Sequence, residues 1–312
     1  MNLKIYDAKD FPAYLPQLNT LYDDLFSGGK GFRAKLVKMI GDHVSSGPQS
    51  EQLLCQTIEF IHNASLLHDD LVDRSNLRRG KTAAWLRFSP EYAVLAGDYL
   101  LARVMVNLSG FGNIRLVQYT AEVISDLLEG EWLQDSLVGD FQLDLSQLDR
   151  VHNLKTSSLF KWCLRSPFIA LERYEPGLHT LLEEAGTLLG QLFQRSDDLL
   201  DFDIRNQEGK AIFGDLKSGY MNSFAAFATQ ELSSEARGRL KQCDTLADFY
   251  LALGGKEVFE RKVAEFDQKN EFLIQLYQHH LQNLKSYLKP DELGLLDSLR
   301  PLTDILYWRK LK

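Results

Sequence analysis

Two short aspartate runs carry the chemistry most easily read from this chain. Asp69, Asp70 and Asp73 stand in HDDLVD, and Asp197, Asp198 and Asp201 stand in SDDLLD. On a helix, residues i and i+4 share one face about a turn apart. Asp69 would then stack with Asp73, and Asp197 with Asp201, and each pair repels itself unless a positive charge is supplied. The chain holds 25 Asp, yet chance would produce roughly 0.16 copies of this spacing. Exposed acidic helix faces usually carry Lys or Arg one turn away. The neighbours here are mostly Leu, Val and Phe. An EF-hand does not fit, because the glycine and the closing Glu are missing at the required spacing. Hard divalent cations prefer oxygen ligands, and Mg²⁺ takes one or two carboxylates while bridging to substrate phosphates. Two aspartate clusters facing a diphosphate would form such a site for Mg²⁺, with Mn²⁺ as a substitute. Cations to meet that diphosphate are present in Lys30, Arg33, Arg78, Arg79, Lys155 beside Thr156, and Lys210. Singly each is an ordinary surface residue; their value lies in the set.

Both clusters need helices to position them. No proline falls between Pro90 and Pro167 or between Pro176 and Pro290, which leaves room for long helices. Leu53, Leu54, Ile58, Ile61, Leu66 and Leu67 recur at helical spacing, as do Leu181, Leu182, Leu188, Leu189, Leu192, Leu199 and Leu200. Alternating strand patterns and hairpin signals such as Asn-Gly are scarce or absent. The chain is expected to be all-α. No Ser/Gly/Pro linker divides it, so residues 1–312 are expected to form one domain. Loops are expected at 45–49, 75–81, 110–113, 139–148, 173–177 and 203–215.

Composition narrows the function classes. The 312 residues carry 35 Lys+Arg against 43 Asp+Glu, a net charge of −8. An acidic chain without a basic run is not built for a nucleic-acid backbone. The longest stretch free of Asp, Glu, Lys and Arg is 13 residues, Ser218 to Gln230, short of the roughly 18–20 that a membrane span needs. The N-terminus lacks the apolar core of a secretory signal. Three separated cysteines suggest neither a zinc site nor a disulfide framework. A reduced, cytoplasmic, soluble protein is expected.

Taken in order, GGKGFR (28–33), EFIHNASLLHDDLVDRSNLRRGK (59–81), AVLAGDYLLAR (93–103), EGEWLQ (129–134), LKTSSLF (154–160), GQLFQRSDDLLDF (190–202) and GKAIFGDL (209–216) resemble the trans-type (all-E) polyprenyl diphosphate synthases, the polyprenyl synthetase family. The resemblance covers about two-thirds of the chain. It implies a single α-helical bundle around a central cavity, the type I isoprenoid synthase fold, in a homodimer. It implies joining of isopentenyl diphosphate to an allylic diphosphate, with Mg²⁺ aiding ionisation and the released pyrophosphate taking the proton. Carried over by residue, Asp69 and Asp73 resemble first-motif metal ligands, and Asp197 with Asp201 the second. Asp69, Asp73, Lys155 and Asp197 would carry catalysis. Arg78, Lys155, Thr156, Gln194 and Lys210 resemble contacts to the allylic diphosphate. Lys30, Arg33, His62 and Arg79 resemble the isopentenyl diphosphate site. His62 lies seven residues before Asp69 on the same helix face.

The pattern departs from the family in places. Gly31 stands where Arg is common and Ala34 where Pro is common, and RRGKTAAW lacks the usual Pro-Thr. Tyr220 stands for the usual Lys, Asn222 for Thr and Phe224 for Pro, with Lys217 a turn before Tyr220. A non-catalytic or partner-dependent subunit is therefore an alternative reading, with a small second subunit as its complement. A terpene cyclase is another, opposed by the GGKxxR and LRRG elements and by the second DDxxD. Ala64 and Ser65 lie one turn below Asp69, where short-chain synthases of the family place a large side chain. Both are small, so a product of about C30–C40 is expected, delivered to a membrane. Close helix packing is the other reason for small residues there, in which case Phe111 or Tyr99 would close the tunnel.

Overall fold

The computed structural model describes residues 10–27, 31–78, 80–203 and 213–308. Helices α1 (Pro16–Ser27), α2 (Phe32–Val44) and α3 (Pro48–Val72) open the chain. A minimal hairpin follows, β1 (Leu77–Arg78) antiparallel to β2 (Lys81–Thr82), with Leu77 opposite Thr82. Then come α4 (Ala84–Arg87), α5 (Pro90–Phe111) and α6 (Ile114–Ser136). Helix α7 (Leu145–His152) passes through a π-helical turn at Asn153–Ser157 into α8 (Ser158–Ala170), and α9 (Pro176–Leu200) follows. The remainder comprises α10 (Gly214–Lys217), α11 (Ser223–Thr229), α12 (Ser234–Gly238), α13 (Leu246–Leu253), the long α14 (Lys256–Leu284), α15 (Gly294–Leu299) and α16 (Leu302–Tyr307).

The all-α expectation holds, with one two-residue hairpin that the turn signals did not announce. Local chemistry sets several ends. Pro48 and Pro90 occupy first-turn positions, where their missing N–H costs nothing. That places the start of α3 inside the stretch expected to be loop. Asp144 and Gln147 form a reciprocal capping box, so α7 begins within the expected 139–148 loop. Pro167 sits inside α8, against its usual exclusion; the neighbouring Ser166 and Phe168 are fully buried, and packing holds the helix through it.

Two compact units divide these elements. The first comprises residues 1–125, 159–183 and 288–295. Its core is α3 packed between α2 and α5, with Ile58, Phe60, Ile61, Val37, Ile40 and Leu100 essentially inaccessible. The second comprises residues 126–158, 184–287 and 296–312. An aromatic cluster organises it: Phe202 and Phe224 meet at 5.0 Å, and Phe224 and Phe266 at 5.5 Å, both near edge-to-face. Phe224, which departs from the family's proline, packs against Phe202, Phe259 and Phe266 in this cluster. Phe202 directly follows Asp201 and anchors the end of the second aspartate run.

Helix α5 is the one helix among the described residues long and apolar enough to cross a membrane by length and composition. Asp98 and Arg103 interrupt it, and its buried face, including Ala93, Ala96, Gly97 and Leu100, packs on α3.

Candidate functional site

In the first unit the last turn of α3 carries the first aspartate run. Asp73 closes the helix, its N–H donating to the Asp69 carbonyl at 2.8 Å. Asp69 is half-buried and Asp73 exposed, while Asp70 is buried. Arg78, reached through the hairpin, grips Asp70 with Nε at 2.8 Å and with a second guanidinium nitrogen. Burial pulls the Arg78 pKa down, but the Asp70 bond and the charges of Asp70, Asp69 and Asp73 outweigh it and raise it overall. His68 lies over Gly97 of α5, where any Cβ would overlap its ring, and contacts the Val94 carbonyl at 3.3 Å.

Two turns earlier on α3, His62 meets Arg33 of α2, with Nη1 to Nε2 at 3.1 Å. A guanidinium only donates, so His62 Nε2 accepts and its proton sits on Nδ1. Glu59 accepts from the Ala34 N–H at 3.1 Å and fixes the start of α2 beside them. Gly31 precedes α2 at φ 55°, a left-handed backbone that favours glycine over the arginine common in the family. Ala64 is fully buried; Ser65 is half-buried, its hydroxyl donating back to the His62 carbonyl at 2.9 Å. Lys30 and Arg79 lie outside the described residues.

In the second unit, α9 and the π turn face one another. π-helical turns recur at functional sites, and this one carries Lys155 and Thr156. Gly130 of α6 and Gly190 of α9 both abut it. A Cβ on Gly130 would stand 3.0 Å from Leu154 Cβ and from the Lys155 nitrogen, and one on Gly190 would overlap the Ser157 backbone. Lys155 pairs with Glu131 and donates to Gln134 at 3.3 Å. Thr156 Oγ1 donates to Gln194 at 3.0 Å, and Gln194 Nε2 donates to Asp198 at 2.8 Å. Thr156 and Gln194, expected together at one ligand, are thus brought together. Lys210 lies outside the described residues. Lys217 is exposed, and Tyr220 is half-buried with its N–H on the Asp215 carbonyl at 2.9 Å.

The second aspartate run divides its labour. Asp197 is half-buried. Asp198 is buried and accepts from Gln194 and from the Ser223 N–H at 2.9 Å. Asp201 accepts the N–H groups of Gly214 at 2.8 Å and Asp215 at 3.3 Å. Burial raises Asp198; burial and then the Asp215 charge push Asp201 up to about 7. Carboxylates crowded this way favour a cation, and hard oxygen donors suit Mg²⁺. Among the described residues no three His, Cys, Asp or Glu side chains form a ready cage.

Several supporting residues had no sequence signal. Arg195, buried beside the run, donates to both oxygens of Asp149 at 2.8 Å and to Asn270 at 2.7 Å. Asn270 reaches the Tyr307 hydroxyl at 2.8 Å, and that hydroxyl donates to Asp267 at 2.7 Å. Ser196 donates to the Tyr307 carbonyl at 2.9 Å. Glu131 and Gln134 lay inside a quoted motif but carried no expected role.

The described residues are helical apart from one minimal hairpin, and they set two acidic runs beside cationic and amide donors. Residues 15–248 match the polyprenyl synthetase family, and the chain belongs to it. It is 35% identical to decaprenyl-diphosphate synthase of Dictyostelium discoideum over 72% of this chain and 48% of that protein. It is 33% identical to octaprenyl diphosphate synthase of Escherichia coli over 62% of this chain and 59% of that one. The matches thus span about half to three-fifths of these relatives' length. A crystal structure of decaprenyl diphosphate synthase from Rhodobacter capsulatus superposes with TM-score 0.83 at 26% identity, covering 96% of this chain and 92% of the other. A polyprenyl synthase from Caulobacter crescentus, complexed with calcium and isoprenyl diphosphate, superposes with TM-score 0.72 at 26% identity over 93% and 88%. The fold is that of the isoprenoid synthases.

Proposed function

We propose that this chain is a prenyltransferase that condenses isopentenyl diphosphate with an allylic diphosphate and builds a medium-to-long trans-polyprenyl diphosphate. The observation that carries the reading is the pair of aspartate triads, each held on a helix end beside diphosphate-binding types of side chain. The relatives' names, octaprenyl and decaprenyl, support the product class. The Caulobacter protein, complexed with calcium and isoprenyl diphosphate, supports a divalent ion and a prenyl diphosphate as ligands of this chain.

Asp69 and Asp73, and Asp197 with Asp201, would hold Mg²⁺, Asp201 through the lone pairs its amide donors leave. When bound, the metal would draw charge from the departing diphosphate and so stabilise ionisation of the allylic C–O bond. Lys155 would present an ammonium to the allylic diphosphate, and Thr156 would turn its hydroxyl proton from Gln194 to a diphosphate oxygen. Glu131 and Gln134 hold the Lys155 ammonium, and Gln194 holds the Thr156 hydroxyl. Arg78 and Lys210 add to that set. Arg33 and His62 act as a pair toward isopentenyl diphosphate, with Lys30 and Arg79. The His62 tautomer leaves its Nδ1–H as the donor. The three cysteines are free and buried, which suits a reduced, cytoplasmic enzyme. A homodimer is part of the reading: Val94, Leu95 and Val106 of α5 are exposed, an apolar face that a second copy would cover.

One observation favours a second reading, a subunit that needs a partner for turnover. Tyr220 gives the 213–223 segment a neutral phenol where the family usually has a lysine. The purified chain, mixed with isopentenyl diphosphate, farnesyl diphosphate and Mg²⁺, decides between them. A linear product beyond four isoprene units supports the synthase. A cyclic hydrocarbon supports a terpene cyclase. No turnover despite substrate binding supports the subunit reading.

A further inference from the structure

We propose that Asn222 is a positioning residue for the second aspartate triad: its side-chain amide straps the 213–223 segment to the end of α9 and sets how Asp197 and its neighbours are presented. The inference rests on the reading of that triad as a metal and diphosphate site.

Every hydrogen-bonding group of the Asn222 amide is used. Oδ1 accepts the Ala225 N–H at 3.0 Å and caps α11. Nδ2 donates to the Asp198 carbonyl at 3.3 Å and to Asp215 Oδ2 at 2.9 Å. The next residue continues the strap, with Ser223 N–H on Asp198 Oδ2 at 2.9 Å. The other end of the segment hangs on the same turn of α9. Phe213 N–H reaches the Asp201 carbonyl at 2.7 Å, and Gly214 and Asp215 N–H groups reach the Asp201 carboxylate. Asp215 therefore links to Asp201 through its backbone and to Asn222 through its side chain. The result closes a ring of hydrogen bonds from Asp201 through Asp215 and Asn222 back to Asp198. Asp197 is the one aspartate of the triad outside this ring.

The residue type matters. An amide offers one cap acceptor and two donors, whereas a hydroxyl offers one donor. Threonine, usual in the family at this position, would cap α11 but could not hold both Asp198 and Asp215. Asparagine is also neutral, so it adds donors beside Asp198, Asp201 and Asp215 without adding a fourth negative charge. Residues that orient ligands from behind typically change metal affinity by about 10–100-fold when lost.

Asn222→Thr keeps the cap and leaves at most one of the two Nδ2 bonds; Asn222→Asp keeps the cap and sets a carboxylate against Asp215. The probe is Mn²⁺, titrated by electron paramagnetic resonance with inorganic pyrophosphate present. The expected result is half-saturation about 10–100-fold weaker in both variants. Amide hydrogen exchange should also quicken at Gly214, Asp215 and Ser223. A merely structural role would lower the melting temperature and leave Mn²⁺ half-saturation of the folded protein unchanged, and that result overturns the proposal. Wild-type Mn²⁺ affinity with protected amides in Asn222→Thr overturns it as well. Failure of the functional reading looks different: wild-type protein would bind Mn²⁺ and pyrophosphate, lose that binding in the variants, and make no prenyl product.

Discussion

Adding one methyl group at Gly190 should cost both stability and rate. Its Cβ would overlap Ser157 Oγ and Cα and stand 2.7 Å from Ser157 Cβ. Carbon atoms need about 3.5–4.0 Å, so α9 and the π turn must part by about 1 Å. Neither side yields easily, because Ser157 is fully buried and the overlap includes backbone. Overpacking of this kind costs about 1–3 kcal/mol. The Ser157 hydroxyl bond to the Thr187 carbonyl, 3.1 Å, would be lost for about 1 kcal/mol more. The alanine gain in helix propensity returns about 1 kcal/mol. A net loss of about 2 kcal/mol should lower the melting temperature of a 312-residue chain by about 3 °C. The rate effect should be larger, since Thr156 and Lys155 ride on the displaced turn while Gln194 rides on α9. A misplacement of 1 Å can cost about 10²-fold. Differential scanning calorimetry and steady-state prenyl transfer measure the two effects. Gly110→Ala is the control: it is helical with nothing within 4 Å of an added Cβ, and should be neutral or stabilising by up to about 1 kcal/mol. If Gly190→Ala melted and turned over like wild type, the close approach of α9 to the π turn would be wrong.

Three further outcomes are expected. Burial depresses His152 to about 4; Asp149 opposes this, while Arg195 and Lys155 add to it. The unfolded chain then binds the extra proton between pH 6.5 and 4, so stability falls as pH drops through that window, by about 3 kcal/mol at its end. Urea midpoints at pH 7 and pH 4.5 read this, and His152→Gln should flatten the difference; an equal slope in that variant refutes the assignment. Asp69→Asn and Asp197→Asn should each fold and lose about 10²–10³ in rate, and EDTA should abolish turnover reversibly; near wild-type rates for Asp69→Asn would remove that residue from the metal site. Ser65→Phe should shorten the product while sparing the first condensation, with mass analysis as the readout, because half-buried Ser65 has room that fully buried Ala64 lacks. A wild-type product no longer than farnesyl diphosphate would sink the open-tunnel reasoning.

Much of this protein is written in its local spacing. The Asp69–Asp73 and Asp197–Asp201 intervals, the proline-free stretches and the leucine stripes follow from a 3.6-residue period. A reader of the sequence therefore arrives at an all-α chain with two acidic helix ends. Pro48, Pro90 and the Asp144–Gln147 pair even mark helix starts, though their strength as caps moved two boundaries into stretches expected to be loop. Other features were present as letters without meaning. Arg78 was legible as a cation, but its grip on Asp70 was not. Gly130 and Gly190 stood inside recognisable motifs, yet only packing shows that each makes way for the turn bearing Lys155 and Thr156. Asn222 and Phe224 read as departures from a pattern; in the folded chain one straps a loop and the other packs within an aromatic core. The partners of Arg195, Asp149 and Asn270, lie 46 and 75 residues away, and Ser196 meets Tyr307 across 111. Periodicity is a property of neighbouring peptide units and survives in any helix. A buried hydrogen bond between distant residues depends on which faces pack together, and one-dimensional spacing carries no record of that choice.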